Sequence, residues 1–201
     1  MSGCGGGARQ DANEPTGRYQ VAVTTARFPS TQRLAQHTHL VIAIRNASNK
    51  TIPDVAVTVC NVSCSAPAQP GSGTGPAAFS ENIDMTGLAN PSRPVWIVDR
   101  PPGPCQYSCR SGGPGAAVTA YSNTWALGRL RPGATATFDW GVTAIKPGRH
   151  VIEYSVAAGL NGKAKAVLSG GGSPSGTFRV TVLSKPQRSY VSNSGQIVNS
   201  P

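Results

Sequence analysis

Acidic residues are scarce in this chain: eight against eighteen Lys and Arg in 201 residues. Charged residues of both signs make up 13%, below the roughly 25% of an ordinary soluble domain. The thin supply of carboxylates has a chemical consequence. Asp84, Asp99, Asp139 and Glu153 stand in unrelated contexts, so nothing sets two of them to different pKa values for acid–base work. Long apolar runs are missing too, and no stretch approaches the ~18–20 residues of a membrane-spanning helix. No apolar stripe recurs at helical spacing over a useful length. Nucleophile signatures are lacking as well: no Gly-x-Ser-x-Gly elbow stands between a strand and a helix. Gly170-Gly171-Gly172 has neither the Lys nor the following helix of a phosphate cradle. With no run of consecutive basic residues and no known nucleic-acid module, sequence-specific nucleic-acid binding is not expected. The expectation is a chain that is not an enzyme and carries no cofactor.

What is plentiful is turn chemistry and positive charge. Gly and Pro number 24 and 17, which favours many turns over long helices. The net charge is +10, so acidic surfaces are its natural partners. The bias is uneven. From Arg129 onward nine basic residues are opposed only by Asp139 and Glu153.

Alternation at period 2 marks the strands. Tyr19, Val21 and Val23 alternate with polar or small residues, as do Leu40, Ile42 and Ile44, and then Val55, Val57 and Val59. Arg93–Arg100 is a short apolar strand, and Ala116–Leu130 holds another, with Tyr121 and Trp125 as core aromatics. Phe138, Trp140 and Val142 are followed by a Lys146-Pro147-Gly148 turn and by Ile152, Tyr154 and Val156. This pattern predicts a hairpin with one wet and one dry face. Phe178, Val180 and Val182 close the series. Seven to nine such strands predict an all-β fold, an immunoglobulin-like antiparallel β-sandwich with long disulfide-bearing loops. Residues 1–15 are expected to be a flexible leader, 16–183 the sandwich and 184–201 a disordered tail.

The stretches Leu40–Val59 (LVIAIRNASNKTIPDVAVTV) and Leu130–Ala158 (LRPGATATFDWGVTAIKPGRHVIEYSVAA) resemble bacterial surface Ig-like modules of the cell-adhesion-related (CARDB-like) type. In those modules a strand ending in Asn leads through a short turn to alternating valines, and Pro-Gly turns precede threonine-rich strands. The resemblance implies a non-catalytic binding or adhesion module at the cell envelope. Its partner would be another envelope protein or an anionic envelope polymer. Two alternatives stay open: a structural spacer or assembly partner without a small ligand, and an envelope protein that holds zinc or copper.

Five cysteines fall into two groups. Ser2-Gly3-Cys4 followed by glycines resembles the end of a bacterial lipoprotein signal, which implies lipidation at Cys4 and an extracytoplasmic, membrane-anchored location. Only Met1, Ser2 and Gly3 precede it, so this reading implies a signal upstream of Met1 or one already trimmed. Cys60, Cys64, Cys105 and Cys109 form two matched pairs with three intervening residues each. Residues four apart in a strand lie about 13 Å from each other, too far for a bridge. Crossed pairing, Cys60–Cys109 with Cys64–Cys105, is therefore favoured over local pairing. Either implies an oxidising compartment, and a four-thiolate zinc site is the rival.

Other residues admit two readings each. His37 and His39 share one side of a strand, as half a metal site or as a polar strand start, and no third ligand is evident. His150 reads as surface. Asn161-Gly162-Lys163-Ala164-Lys165 is either a solvated turn or a contact for an anionic polymer. Trp96, Trp125 and Trp140 are either core or a sugar platform.

Overall fold

The computed structural model describes residues 13–61, 78–82, 92–103, 117–119, 123–186 and 188–200. Among them there is no helix. Five strands form the first sheet, in the order β12(Ala164–Val167), β1(Gly17–Arg27), β3(His37–Asn46), β10(Thr135–Ala144), β7(Trp96–Arg100). Six form the second: β2(Thr31–Leu34), β13(Ser175–Pro186), β11(Gly148–Ala157), β4(Ala56–Asn61), β9(Thr124–Ala126), β8(Ala117–Thr119). Two small hairpins complete the set, β5(Ser80–Asn82) with β6(Ser92–Pro94) and β14(Arg188–Val191) with β15(Ile197–Ser200).

This is an immunoglobulin-like sandwich. The β1-β3-β10-β7 series occupies the A-B-E-D places of that fold, and β13-β11-β4 the G-F-C places, with β9 and β8 added beside C as in the variable type. Pairing within both series is antiparallel. Two outer strands depart from the expected antiparallel pattern: β12 runs parallel to β1, and β2 parallel to β13. Chain order departs as well, because the D-like β7 precedes the C′-like β9.

The pairing corrects one expectation from the periodicity. The strands on either side of Lys146-Pro147-Gly148 are not a hairpin. β10 lies in the first sheet and β11 in the second, so the turn carries the chain across the sandwich. The Asn46–Pro53 segment does the same between β3 and β4. Period 2 reveals which face of a strand is dry; it carries no information on which strand sits beside it.

Between the sheets lies one core. Leu40, Ile42 and Ile44 from β3, Phe138, Trp140 and Val142 from β10, and Val57 and Val59 from β4 are all fully buried. Trp140 stacks on Phe138 at 5.8 Å and meets Trp125 edge-on at 5.4 Å, a geometry in which the ring quadrupoles attract. All three tryptophans are core, as expected from their alternation. Tyr121 lies outside the described residues. Phe79, just before β5, plugs the same core against Trp125 and Trp140, with a left-handed backbone at φ 60°.

The closing strand β13 extends to Pro186, and β14 pairs with β15 from Arg188 to Ser200. Gly195 takes φ 79° at the turn, and Ser192 accepts the Gln196 N–H. Tyr190, Val191 and Ile197 are exposed, so no buried face imposes the alternation that sequence reading depends on.

The sandwich has two distinct ends. Gly17, Asn46, Thr135 and Ala164 meet at the leader end. His37, Thr143, Trp96, Gly148 and Val182 lie toward the opposite end.

Candidate functional site

Cys60 is the penultimate residue of β4, buried and paired in register with Glu153 of β11. It is disulfide-bonded. Cys4, Cys64, Cys105 and Cys109 lie outside the described residues, and so does the expected crossed pairing. β4 heads away from the leader end, and residues 62–95 separate it from β7 in the other sheet. A second long connection, residues 101–123, links β7 to β9. The two connections lead into and out of β7, an edge strand of the first sheet. Next to that edge, Ile97, Val98 and Ile145 expose 49%, 37% and 41% of their surface. An exposed apolar group at a free strand edge is a feature of docking surfaces.

His37 and His39 stand on the outer face of the first sheet, their rings 5.2 Å apart. Neither is a bare ligand. His37 Nδ1 donates to Asp99 Oδ2 at 3.0 Å, and His39 Nδ1 to Asp139 Oδ1 at 2.7 Å. Arg100 Nη2 donates to Asp139 Oδ2 at 2.8 Å, and the Thr143 hydroxyl donates to Asp99 Oδ2 at 2.6 Å. The network ties β3 and β10 to the edge strand β7. Gly141 makes room for it: a Cβ there would stand 3.1 Å from His37 Cε1 and 3.2 Å from Arg100 Cβ. No group of three His, Cys, Asp or Glu suited to a metal occurs among the described residues. The nearby hydroxyl is spent on the carboxylate and not on an imidazole, whereas a nucleophilic triad needs the hydroxyl on the base.

His150 is the third histidine, and the surface reading of it is corrected. It is 8% exposed, with its ring 5.4 Å from that of Trp96. Burial lowers its pKa, partly offset by hydrogen bonding of the ring to the backbone carbonyls of Lys146 and Pro147. The cause is local: Gly148 at φ 136° turns the chain so that its second successor faces the core, and the imidazole lies against that glycine. A three-residue turn motif does not reveal this in sequence.

At the leader end the chain closes on itself. Glu14 accepts the N–H of Asn161 and of Ala164, both at 2.7 Å, and Gly159 leaves no room for a Cβ beside that carboxylate. Asp54 accepts the Gly128 N–H at 2.9 Å. Burial raises its pKa, with the Gly128 bond opposing and the Glu14 charge adding. The Asn161–Lys165 stretch divides between a turn and β12. Lys165 sits on β12 in register with Arg18, while Ala164 and Ala166 are buried. Beside it a cleft of about 720 Å³ is lined by Arg18, Gln20, Ser48, Asn49, Lys50 and Ser169, among others.

The class is thus an immunoglobulin-like sandwich with long connections before and after edge strand β7 in the chain. No family model matches the chain, and no curated protein does. Among solved structures it is similar to Salmonella alpha-2-macroglobulin, at 10% identity over 84% of this chain and 7% of that one, with a TM-score of 0.36. It is similar to PapD-like domain 7 of human CEP192, at 10% identity over 94% and 99%, with a TM-score of 0.35. It is also similar to the class 5 fimbriae chaperone CfaA, at 10% identity over 89% and 66%, with a TM-score of 0.33.

Proposed function

We propose that this chain is a non-catalytic Ig-like binding module of the cell envelope, of the CARDB-like type, held to the membrane through a lipid on Cys4. Its partner is another envelope protein. Recognition falls to the edge where β7 meets the two long connections. The observation that carries this reading is the treatment of that edge. Phe79 packs the first connection onto the core, and Cys60, where that connection leaves β4, carries a disulfide, while Ile97, Val98 and Ile145 stay exposed. A rigid scaffold presenting anchored loops and an apolar edge suits protein recognition. The His–Asp network on the neighbouring face supports the non-catalytic reading, because it holds β7 in place and engages no nucleophile. A disulfide at Cys60 favours an oxidising compartment.

The test is photocrosslinking in the native cell. A crosslinking residue at Ile97 should capture one protein of defined mass, and the same residue at Arg179, on the far strand β13, should not. Equal capture from both positions, or none from Ile97, would overturn the reading. Mass spectrometry of the membrane-fraction protein tests Cys4 separately, by the presence or absence of a diacylglyceryl thioether.

A further inference from the structure

The leader end carries exposed basic side chains on paired strands. Arg18 on β1 and Lys165 on β12 are register partners on the outer face, both exposed. Lys50 closes the cleft from the other side. Its position is fixed by the buried Asn46, whose Nδ2 donates to the carbonyls of Lys50 and Leu130, both at 2.8 Å. Asn46 Oδ1 accepts the Ser48 N–H at 2.9 Å and its hydroxyl at 2.7 Å. Arg129 and Arg131 stand exposed on the turn that closes the same end. The two acids nearby reduce this field and are outnumbered by its basic residues. Glu14 spends both oxygens on backbone N–H groups, and Asp54 is partly buried and bonded to Gly128. No acid follows Glu153 in the sequence.

We infer that this end is a docking surface for an anionic phospholipid bilayer, with the cleft between Arg18 and Lys50, beside exposed Lys165, receiving a phosphate headgroup. Charge complementarity is the first argument: basic side chains near an anionic leaflet each add to attraction, over about a Debye length. The cleft's own chemistry is the second. Gln20, Ser48, Asn49 and Ser169 offer amides and hydroxyls to phosphate and glycerol oxygens, and Val167 and Leu168 supply an apolar wall. Among the described residues no aromatic ring lines it, which disfavours single-stranded nucleic acid, where bases stack on such rings. The third argument is position. Residues 1–12 precede Asn13 and Glu14 at this same end, so a leader fixed to a membrane would draw this face toward it. Only that third argument rests on the lipid anchor proposed for Cys4.

The experiment uses the full chain with Cys4→Ser, so that no acyl chain contributes. It is sedimented with vesicles of phosphatidylcholine alone or mixed with phosphatidylglycerol. Binding is expected to the mixed vesicles only and to fall as salt shortens the Debye length. Arg18→Gln with Lys165→Gln should weaken it about 25-fold, from about 5-fold for each charge. Lys185→Gln with Arg188→Gln, at the opposite end, should leave it unchanged. A thermal melt confirms that each variant is folded. No sedimentation above the phosphatidylcholine level overturns the inference, as does equal loss in both variant pairs. Competition by soluble polyphosphate as effective as the vesicles themselves also overturns it, since that marks a site for free polyanions. Should mass spectrometry find no lipid on Cys4 while Cys4→Ser still binds mixed vesicles, the anchor fails and the docking surface stands.

Discussion

Trp96 Nε1 donates to Gln32 Oε1 at 2.7 Å inside the core, the one residue on β7 of the first sheet and the other on β2 of the second. Gln32 is 1% exposed, and its Nε2 donates in turn to the Pro29 carbonyl at 3.0 Å. The pair pins edge strand β7 of the first sheet to edge strand β2 of the second. Replacing Gln32 by Leu removes the acceptor and leaves a buried indole N–H unpaired. A loss of about 1–3 kcal/mol is expected, read from urea midpoints. Adding Trp96→Phe removes the stranded donor, so the double variant should lose less than the sum of the two single changes.

His150 gives the protein an acid-sensitive element. Its folded pKa lies below 6.5, because burial disfavours the imidazolium. Above pH 6.5 both folded and unfolded forms are neutral, and the full stability is present. As pH falls below 6.5 the unfolded chain takes up a proton that the folded one resists, so stability declines. The decline ends once the folded pKa is passed. Its slope cannot exceed about 1.4 kcal/mol per pH unit, the limit for one proton. Asp54, with its pKa raised, works in the opposite sense in the acid range. Subtracting the profile of His150→Leu from that of the wild type isolates the histidine. A difference that is flat between neutral pH and pH 5 would show that His150 does not resist protonation.

Gly176 of β13 faces Tyr154 of β11 in register. A Cβ at Gly176 would stand 2.6 Å from Tyr154 Cε1 and Oη. That ring is buried and stacked on Phe178 at 5.5 Å, so it has nowhere cheap to go. Gly176→Ala should destabilise by about 1–3 kcal/mol through overpacking, despite the smaller unfolded-state entropy of Ala. Gly170→Ala, with open space around it, is the control and should change stability by no more than about 0.5 kcal/mol.

The core strands were legible in the sequence because each buries one face. Leu40-Ile42-Ile44, Phe138-Trp140-Val142 and Ile152-Tyr154-Val156 alternate, and all nine residues are buried. What alternation could not convey was partnership, and the sheet crossing at Lys146-Pro147-Gly148 read as a hairpin for that reason. Strands with little burial escaped notice. β2 and β12 are four residues each and pair in parallel with distant strands, and β14 with β15 buries no face at all. The site residues divide in the same way. His37 and His39 were visible as neighbours on one face. Asp99 and Asp139, which occupy their Nδ1 atoms, come from strands far along the chain, and only the β3-β10-β7 order brings them together. The Glu14 contacts with Asn161 and Ala164 span the whole domain and leave no local pattern.

Cys60 ties the sequence reading to the proposed recognition edge. It is buried beside Glu153 on the central β4–β11 pair, so its disulfide anchors whichever connection holds the partner cysteine to the middle of the second sheet. Crossed pairing, Cys60–Cys109 with Cys64–Cys105, would also tie the second connection to the first. Local pairing would leave the two connections independent. Peptide mapping of the unreduced protein decides between them: the crossed form yields fragments joining residues near Cys60 to those near Cys109. Free-thiol counting on unfolded, unreduced protein should find Cys4 at most, and four further reactive thiols would remove the staple from the argument. Cys60→Ala in the crossed form should cost about 2–5 kcal/mol, and it should also weaken photocrosslinking from Ile97. If the melt shifts while crosslinking holds, the disulfide serves the sandwich alone and the edge recognises its partner without it.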